Sequence, residues 1–78
     1  MNFIEALKKA VNEKKCMALP WNEECHGDGS YMILLEPHDN YFDCLEFYGR
    51  KVWWNNFPIY TSIVLDTSWE LIDYKEVQ

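Results

Sequence analysis

Tryptophan is the residue that most limits how this chain can fold. Trp21 and Trp69 stand in polar surroundings near its two ends, whereas Trp53 and Trp54 are consecutive. Tryptophan is costly to leave in water and is usually buried or used as a stacking surface. Aromatic residues fill 17% of only 78 positions, which is more aromatic surface than so small a core buries completely. We therefore expect part of it to face a ligand or a second subunit.

The length and net charge of the chain exclude some classes of function and partner. A single small domain has a limited core, so we expect a homo-oligomer. The net charge of −6 opposes attraction to phosphate, so we expect no duplex nucleic acid partner.

The longest apolar run, residues 31–35, is far shorter than the roughly 20 residues of a membrane helix. An odd number of cysteines, 3, without a secretory signal favours reduced thiols. We predict a cytoplasmic protein without a membrane partner.

The first segment has the pattern of an amphipathic helix. Asn2 is a good N-cap residue, and Glu5 follows it at the capping-box spacing. Apolar residues then recur at helical intervals as far as Val11, and Lys14 with Lys15 suits the negative end of a helix dipole. We predict a helix over residues 3–14.

The remaining chain is typical of β-structure, with apolar and β-branched runs separated by turn residues. We predict a polar loop over 22–30 and turns at Gly49-Arg50 and Asn55-Asn56. The predicted strands are 16–19, 31–35, 42–48, 51–54, 59–65 and 69–74. The predicted fold class is α+β: an N-terminal amphipathic helix packed on an antiparallel sheet of five or six strands, in one domain over 1–78.

Candidates for metal binding or catalysis are weak. No Cys-x2-Cys pair of the kind that structural zinc sites use is present, and Cys25-His26 are adjacent, which is poor geometry for proton transfer. No phosphate-binding loop or hydrolase motif occurs. We therefore predict no metal, no cofactor, no catalytic residue and no enzymatic activity. The residues considered as metal ligands are Cys16, Cys25, His26, His38 and Cys44.

A basic and aromatic corner is predicted around the second hairpin. Consecutive strand residues point to opposite faces, so either Trp53 or Trp54 must face solvent, a ligand or another subunit. Lys51 shares a face with Trp53, and Arg50 stands at the turn. Such a corner can stack a base and hold a phosphate. An aromatic interface between protomers is the alternative.

Both ends of the chain resemble a known phage family. The opening residues Asn2 to Leu7, with Ala18 and Trp21-Asn22, are similar to the start of the second type of Thoeris anti-defence protein, a small phage and prophage domain. The end is similar too, in Thr61, Leu65, Asp66 and the run from Trp69 to Ile72. Residues 31–35 fit the family's first long strand, whereas 37–56 do not match it. Leu19 and Pro20 stand where the family usually has a basic residue.

The resemblance implies immune evasion. Members of that family are oligomeric sponges that bind cyclic nucleotide immune signals without cleaving them. This protein would then sequester a cyclic ADP-ribose variant or a cyclic dinucleotide in a pocket between subunits. The alternative is a small acidic inhibitor that binds and blocks a host protein, of the anti-CRISPR or anti-restriction type, including mimicry of nucleic acid charge. The predicted ligand-binding residues are Trp21, Asn22, Tyr31, Arg50, Lys51, Trp53, Thr61, Asp66 and Trp69.

Overall fold

The chain begins with helix α1, Phe3–Glu13, in a computed structural model that describes residues 1–21 and 30–73. The Asn2 Oδ1 accepts a hydrogen bond from the Glu5 backbone N–H at 2.8 Å, which caps the helix as predicted. Lys14 ends it in the left-handed region, at φ 58°. The predicted helix is therefore confirmed and ends one residue earlier than expected.

Five antiparallel strands follow and form one sheet in the order β4-β3-β2-β1-β5. The α+β prediction is therefore confirmed, with α1 packed on a five-stranded sheet. Strand β4 lies at one edge and β5 at the other. No helix among the described residues is long and apolar enough to cross a membrane. The strands are β1 (Cys16–Leu19), β2 (Ile33–Pro37), β3 (Phe42–Phe47), β4 (Arg50–Trp54) and β5 (Glu70–Ile72).

The central strands are buried on both faces. Successive residues of β1 alternate between the two faces, yet all four are buried. This explains why the strand is a continuous apolar run and not an alternating one. The face toward α1 buries Met17, Leu19, Ile33, Leu35 and Cys44 with Phe3, Ala6, Ala10 and Trp69. The opposite face buries Cys16, Ala18, Leu34 and Leu45.

The strand predicted over residues 59–65 is wrong, because this segment contains a short helix, α2 (Thr61–Val64). Only Ile63 in α2 is buried. The Ile63 carbonyl accepts a hydrogen bond from the Trp69 indole at 2.9 Å, which ties the helical turn to the core. The β-branched residues favoured a strand, but the segment forms one helical turn with Ile63 buried in the core.

The hairpin turn between β3 and β4 lies one residue earlier than predicted. Tyr48 and Gly49 occupy it, both with positive φ (51° and 83°), and Arg50 already pairs with Phe47 in the ladder. A two-residue turn with both φ values positive matches the twist of the flanking strands. The Asn55-Asn56 turn is confirmed. The predicted 22–30 loop lies almost wholly outside the described residues, as does Tyr74 of the last predicted strand.

Candidate functional site

Exposed aromatic side chains gather at the β3–β4 hairpin. Tyr48 is 53% exposed, Trp53 50% and Trp54 42%. They are exposed because β4 is an edge strand, all of whose residues are solvent-accessible. We call this set, with the rings that contact it, the aromatic corner: Trp21, Phe47, Tyr48, Trp53, Trp54, Phe57 and Tyr60.

Ring contacts join most of the aromatic corner into a row. The Trp21 ring meets Tyr48 edge-on, with centroids 5.9 Å apart, and Tyr48 contacts Phe47 at 4.7 Å. The Phe47 ring also contacts Trp54, with centroids 5.6 Å apart, and Trp54 contacts Phe57 at 4.9 Å. The Phe57 ring in turn contacts Tyr60. Edge-to-face contacts are favourable for aromatic pairs. Phe57 is buried and therefore anchors the exposed rings to the core.

Trp21 lies over the hairpin turn. Its Nε1 donates a hydrogen bond to the Ser30 Oγ at 3.1 Å. A Cβ atom added at Gly49 would lie 3.3 Å from the Trp21 Cζ2. Glycine is favoured there for two reasons, namely its positive φ and the close approach of the indole. The turn sequence therefore determines where Trp21 is held.

Two cations flank the aromatic corner. Arg50 and Lys51 begin β4, are exposed, and make no ion pair with any residue in 1–21 or 30–73. Lys51 pairs in the ladder with Glu46, a buried residue whose carboxylate accepts a hydrogen bond from the Tyr31 backbone N–H at 3.1 Å. That negative charge reduces the positive potential beside Lys51. Arg50 is consequently the stronger candidate for contacting an anion.

Neither of the two consecutive tryptophans is buried, so the prediction that at least one of them faces outward is confirmed. In the β3–β4 ladder, Cys44 pairs with Trp54 and Glu46 with Lys51, so two β4 residues stand opposite Leu45 alone. This extra residue is a β-bulge, in which Trp53 has a φ of 54°. A bulge interrupts the alternation of faces, so the predicted shared face of Lys51 and Trp53 does not follow from their spacing. Both indoles are therefore partly exposed.

The structure brings five of the predicted binding residues to the hairpin. Tyr31 precedes β2, and its carbonyl accepts a hydrogen bond from the Gly49 N–H at 3.1 Å, which fixes it beside the turn. Asn22 lies outside the described residues. The five are Trp21, Tyr31, Arg50, Lys51 and Trp53.

The other three predicted binding residues are Thr61, Asp66 and Trp69. They lie in or after α2, in the segment that leads to β5 at the opposite edge of the sheet. Trp69 is only 1% exposed, and its ring stands edge-on against Phe3 at 5.3 Å. It is a core residue with no ring face open to a ligand. The Asp66 Oδ1 accepts a hydrogen bond from the Ser68 N–H at 2.8 Å, and Thr61 is exposed at the start of α2. We retain the hairpin group as the candidate site.

Tyr48 and Tyr60 were not predicted as parts of this surface, and Trp54 was considered with Trp53 but left out of the predicted binding residues. Burial, followed by the nearby Tyr48, raises the pKa of Tyr60, so its phenol stays protonated and able to donate a hydrogen bond at neutral pH. The Tyr-Gly pair was the available signal for Tyr48, because glycine at the second position of a tight turn places its neighbour at the hairpin tip.

No known protein family, curated protein or solved structure matches this chain. The resemblance to the anti-defence family therefore stays a prediction.

Proposed function

We propose that this protein binds and sequesters a cyclic nucleotide immune signal in the cytoplasm, without cleaving it. The observation that supports the proposal best is the exposed aromatic corner with Arg50 and Lys51 beside it. A cyclic ADP-ribose variant or a cyclic dinucleotide offers flat bases and phosphates, and these are the groups that such a surface binds.

Stacking would supply much of the affinity. One base stacked on an aromatic side chain is worth about 1–3 kcal/mol. The partly exposed indoles of Trp53 and Trp54 and the phenol ring of Tyr48 are the candidate surfaces. Arg50 can hold a phosphate by two parallel hydrogen bonds, which Lys51 cannot do. Because the whole chain carries a charge of −6, phosphate binding relies on these local cations and should weaken as salt is raised.

Two copies would complete such a site. Among residues 1–21 and 30–73, strand β4 is an edge of the sheet with Val52, Trp53 and Trp54 exposed, and an exposed edge can pair with another strand. Pairing of β4 with β4 of a second copy would bring two aromatic corners together around a two-fold axis. A symmetric cyclic dinucleotide suits such a symmetric site.

Isothermal titration of the protein with cyclic ADP-ribose isomers and cyclic dinucleotides tests the proposal. The test variant is R50Q/K51Q, and its matched control is K8Q/K9Q, which makes the same change of charge on exposed residues of α1. We expect at least tenfold weaker binding in R50Q/K51Q and near-native binding in K8Q/K9Q. Trp53→Ala should also weaken binding about tenfold or more, because one stacked base is worth about 1–3 kcal/mol.

Three results would contradict the proposal. One is that no compound in the panel binds the native protein. A second is that both charge variants weaken binding equally, since that would reflect net charge and not a site at the hairpin. The third is recovery of a hydrolysed product, because a sequestering protein returns its ligand intact.

Blocking of a protein is the second candidate function. The position of β4 at the edge of the described sheet favours it, because a partner can add a strand to an exposed edge while side-chain pockets provide specificity. Immobilised protein should then retain one host protein from a cell lysate, and Val52→Lys at the edge should abolish the capture. Nucleotides would leave the melting temperature unchanged in that case.

A further inference from the structure

A second cluster of polar side chains lies at the end of the β2–β3 pair away from the Tyr48-Gly49 turn. Glu36 is near the end of β2, His38 follows that strand, and Asp43 lies in β3 directly opposite Glu36 in the ladder. Glu36 and His38 are two residues apart and so project on one side, and Asp43 shares that side through pairing. The β2–β3 register therefore brings one imidazole and two carboxylates together.

The ligand atoms of these residues are close enough to share an ion. The His38 Nε2 lies 3.1 Å from the Asp43 Oδ2 and 3.6 Å from the Glu36 Oε1. One ligand atom from each residue lies within 4.8 Å of the other two. We propose that Glu36, His38 and Asp43 form a zinc-binding site with three protein ligands and an open fourth position.

The two distances from His38 suit zinc. Zn²⁺ binds nitrogen and oxygen at about 2.0–2.2 Å, so tetrahedral ligands lie about 3.4 Å from one another. The observed 3.1 and 3.6 Å separations fall on either side of that value. Calcium and magnesium prefer oxygen ligands alone, whereas an imidazole with carboxylates suits zinc. Three protein ligands with an open position is the arrangement found in exchangeable and catalytic zinc sites.

Neighbouring side chains fix the orientation of the ligands. The Asn55 Nδ2 donates a hydrogen bond to the Asp43 Oδ1 at 3.1 Å, which leaves the Oδ2 directed at His38. The Tyr41 ring stacks on the His38 imidazole, with centroids 4.6 Å apart and planes 17° apart. Outer contacts of this kind orient metal ligands in proteins.

Space for a fourth ligand lies beside the cluster. Glu36 and His38 line a cavity of about 420 Å³ between the end of α1 and the end of β2, which has room for a water or a small anion. Lys14 and Lys15 line the same cavity, and so does Asp39, so positive and negative charges both lie beside the proposed fourth position.

His38 was among the residues considered as metal ligands, but Glu36 and Asp43 were not, because only cysteine and histidine were weighed. The local signal was Glu36-x-His38 at the end of a strand, where two residues share a face. The third ligand depends on the pairing of Glu36 with Asp43 across the hairpin, which sequence spacing does not show.

The experiment titrates Zn²⁺ into metal-free H26A protein and follows the imidazole nitrogens by NMR. The chain has two histidines, so in H26A the signals belong to His38 alone. We expect one Zn²⁺ per chain and a large shift of one imidazole nitrogen. Co²⁺ in the same protein should give visible absorption bands without a sulfur charge-transfer band, which excludes cysteine ligands.

Ligand variants in the H26A background complete the test. Asp43→Asn keeps an oxygen for the Asn55 contact but removes the charged ligand. Loss of a residue that only orients a ligand typically weakens metal binding about 10–100-fold. Because Asp43 is a ligand itself, Asp43→Asn should weaken Zn²⁺ binding by more than that. Asn55→Ala should weaken binding by about 10–100-fold. Asp39→Asn, in the same turn, is the matched control and should bind nearly as tightly as the parent. Circular dichroism shows whether each variant is folded.

Two results would overturn the site. One is no shift of the His38 signals at millimolar Zn²⁺ in folded protein. The other is Zn²⁺ binding that Asp43→Asn and Asp39→Asn weaken to the same extent, because the ion would then be held by general negative charge.

Discussion

Replacement of Trp69 by phenylalanine tests its assignment to the core instead of to a ligand site. The indole is 1% exposed, its N–H donates to the Ile63 carbonyl at 2.9 Å, and its ring packs edge-on against Phe3. Trp69→Phe removes that donor and about two buried ring carbons. The Ile63 carbonyl also accepts from the Asp66 N–H at 3.3 Å, so it is not left without a partner.

The magnitude follows from these contacts. Two buried carbons are worth about 1.6 kcal/mol at roughly 0.8 kcal/mol each. A hydrogen bond whose acceptor keeps another donor contributes about 1 kcal/mol. The expected loss in the free energy of unfolding is therefore about 2–3 kcal/mol, or roughly 10–20 °C in melting temperature for a domain of this size. A chain of 78 residues has a total stability of only about 4–12 kcal/mol.

Urea unfolding followed by circular dichroism measures this loss, because fluorescence would change with the number of indoles. Trp53→Phe is the matched control: it makes the same chemical change at a half-exposed site, where substitutions usually alter stability by less than about 0.5 kcal/mol. If Trp69→Phe cost no more than Trp53→Phe, the assignment of Trp69 to the core would be refuted.

Three further perturbations test the fold. Asn2→Ala removes the cap of α1 and should cost about 1 kcal/mol in urea unfolding, and an unchanged midpoint would contradict the capping bond. Gly49→Ala forces a Cβ toward Trp21 at positive φ and should cost more than about 1 kcal/mol, whereas a stabilised variant would show that the turn is misassigned. Burial raises the pKa of Cys44 from 9.0 to about 11, so the folded state holds this proton more tightly than the unfolded state. Stability should therefore fall as pH rises from about 9 to about 11, and Cys44→Ala should remove that part of the fall.

Local signals in the sequence were sufficient for the main elements. Capping by Asn2 and the helical recurrence of apolar residues located α1 to within one residue. Continuous apolar runs identified β1 and β2, although β2 begins and ends two residues later than predicted. These elements depend mostly on neighbours in the chain, and for that reason they were predictable.

The errors have causes that residue preferences do not show. In helix α2 the buried Ile63 accepts a hydrogen bond from the Trp69 indole, and a β-branched composition does not reveal this contact. The bulge at Trp53 depends on the register between β3 and β4, and both indoles are partly exposed, whereas the alternation of faces required only one of them to be. The candidate site was predicted only in part. Its cations and several of its aromatic residues could be identified from the sequence, but the row of ring contacts from Trp21 to Tyr60 could not.

A thermal-shift titration with cyclic nucleotides, followed by mass analysis of the compound released on denaturation, tests the proposed sequestration most directly. A ligand that binds only the folded state raises the melting temperature as its concentration exceeds its dissociation constant. We predict a concentration-dependent rise with at least one cyclic ADP-ribose isomer or cyclic dinucleotide, loss of that rise in R50Q/K51Q, and release of a compound of unchanged mass. No rise with any compound, or release of a hydrolysed one, would contradict sequestration at the hairpin.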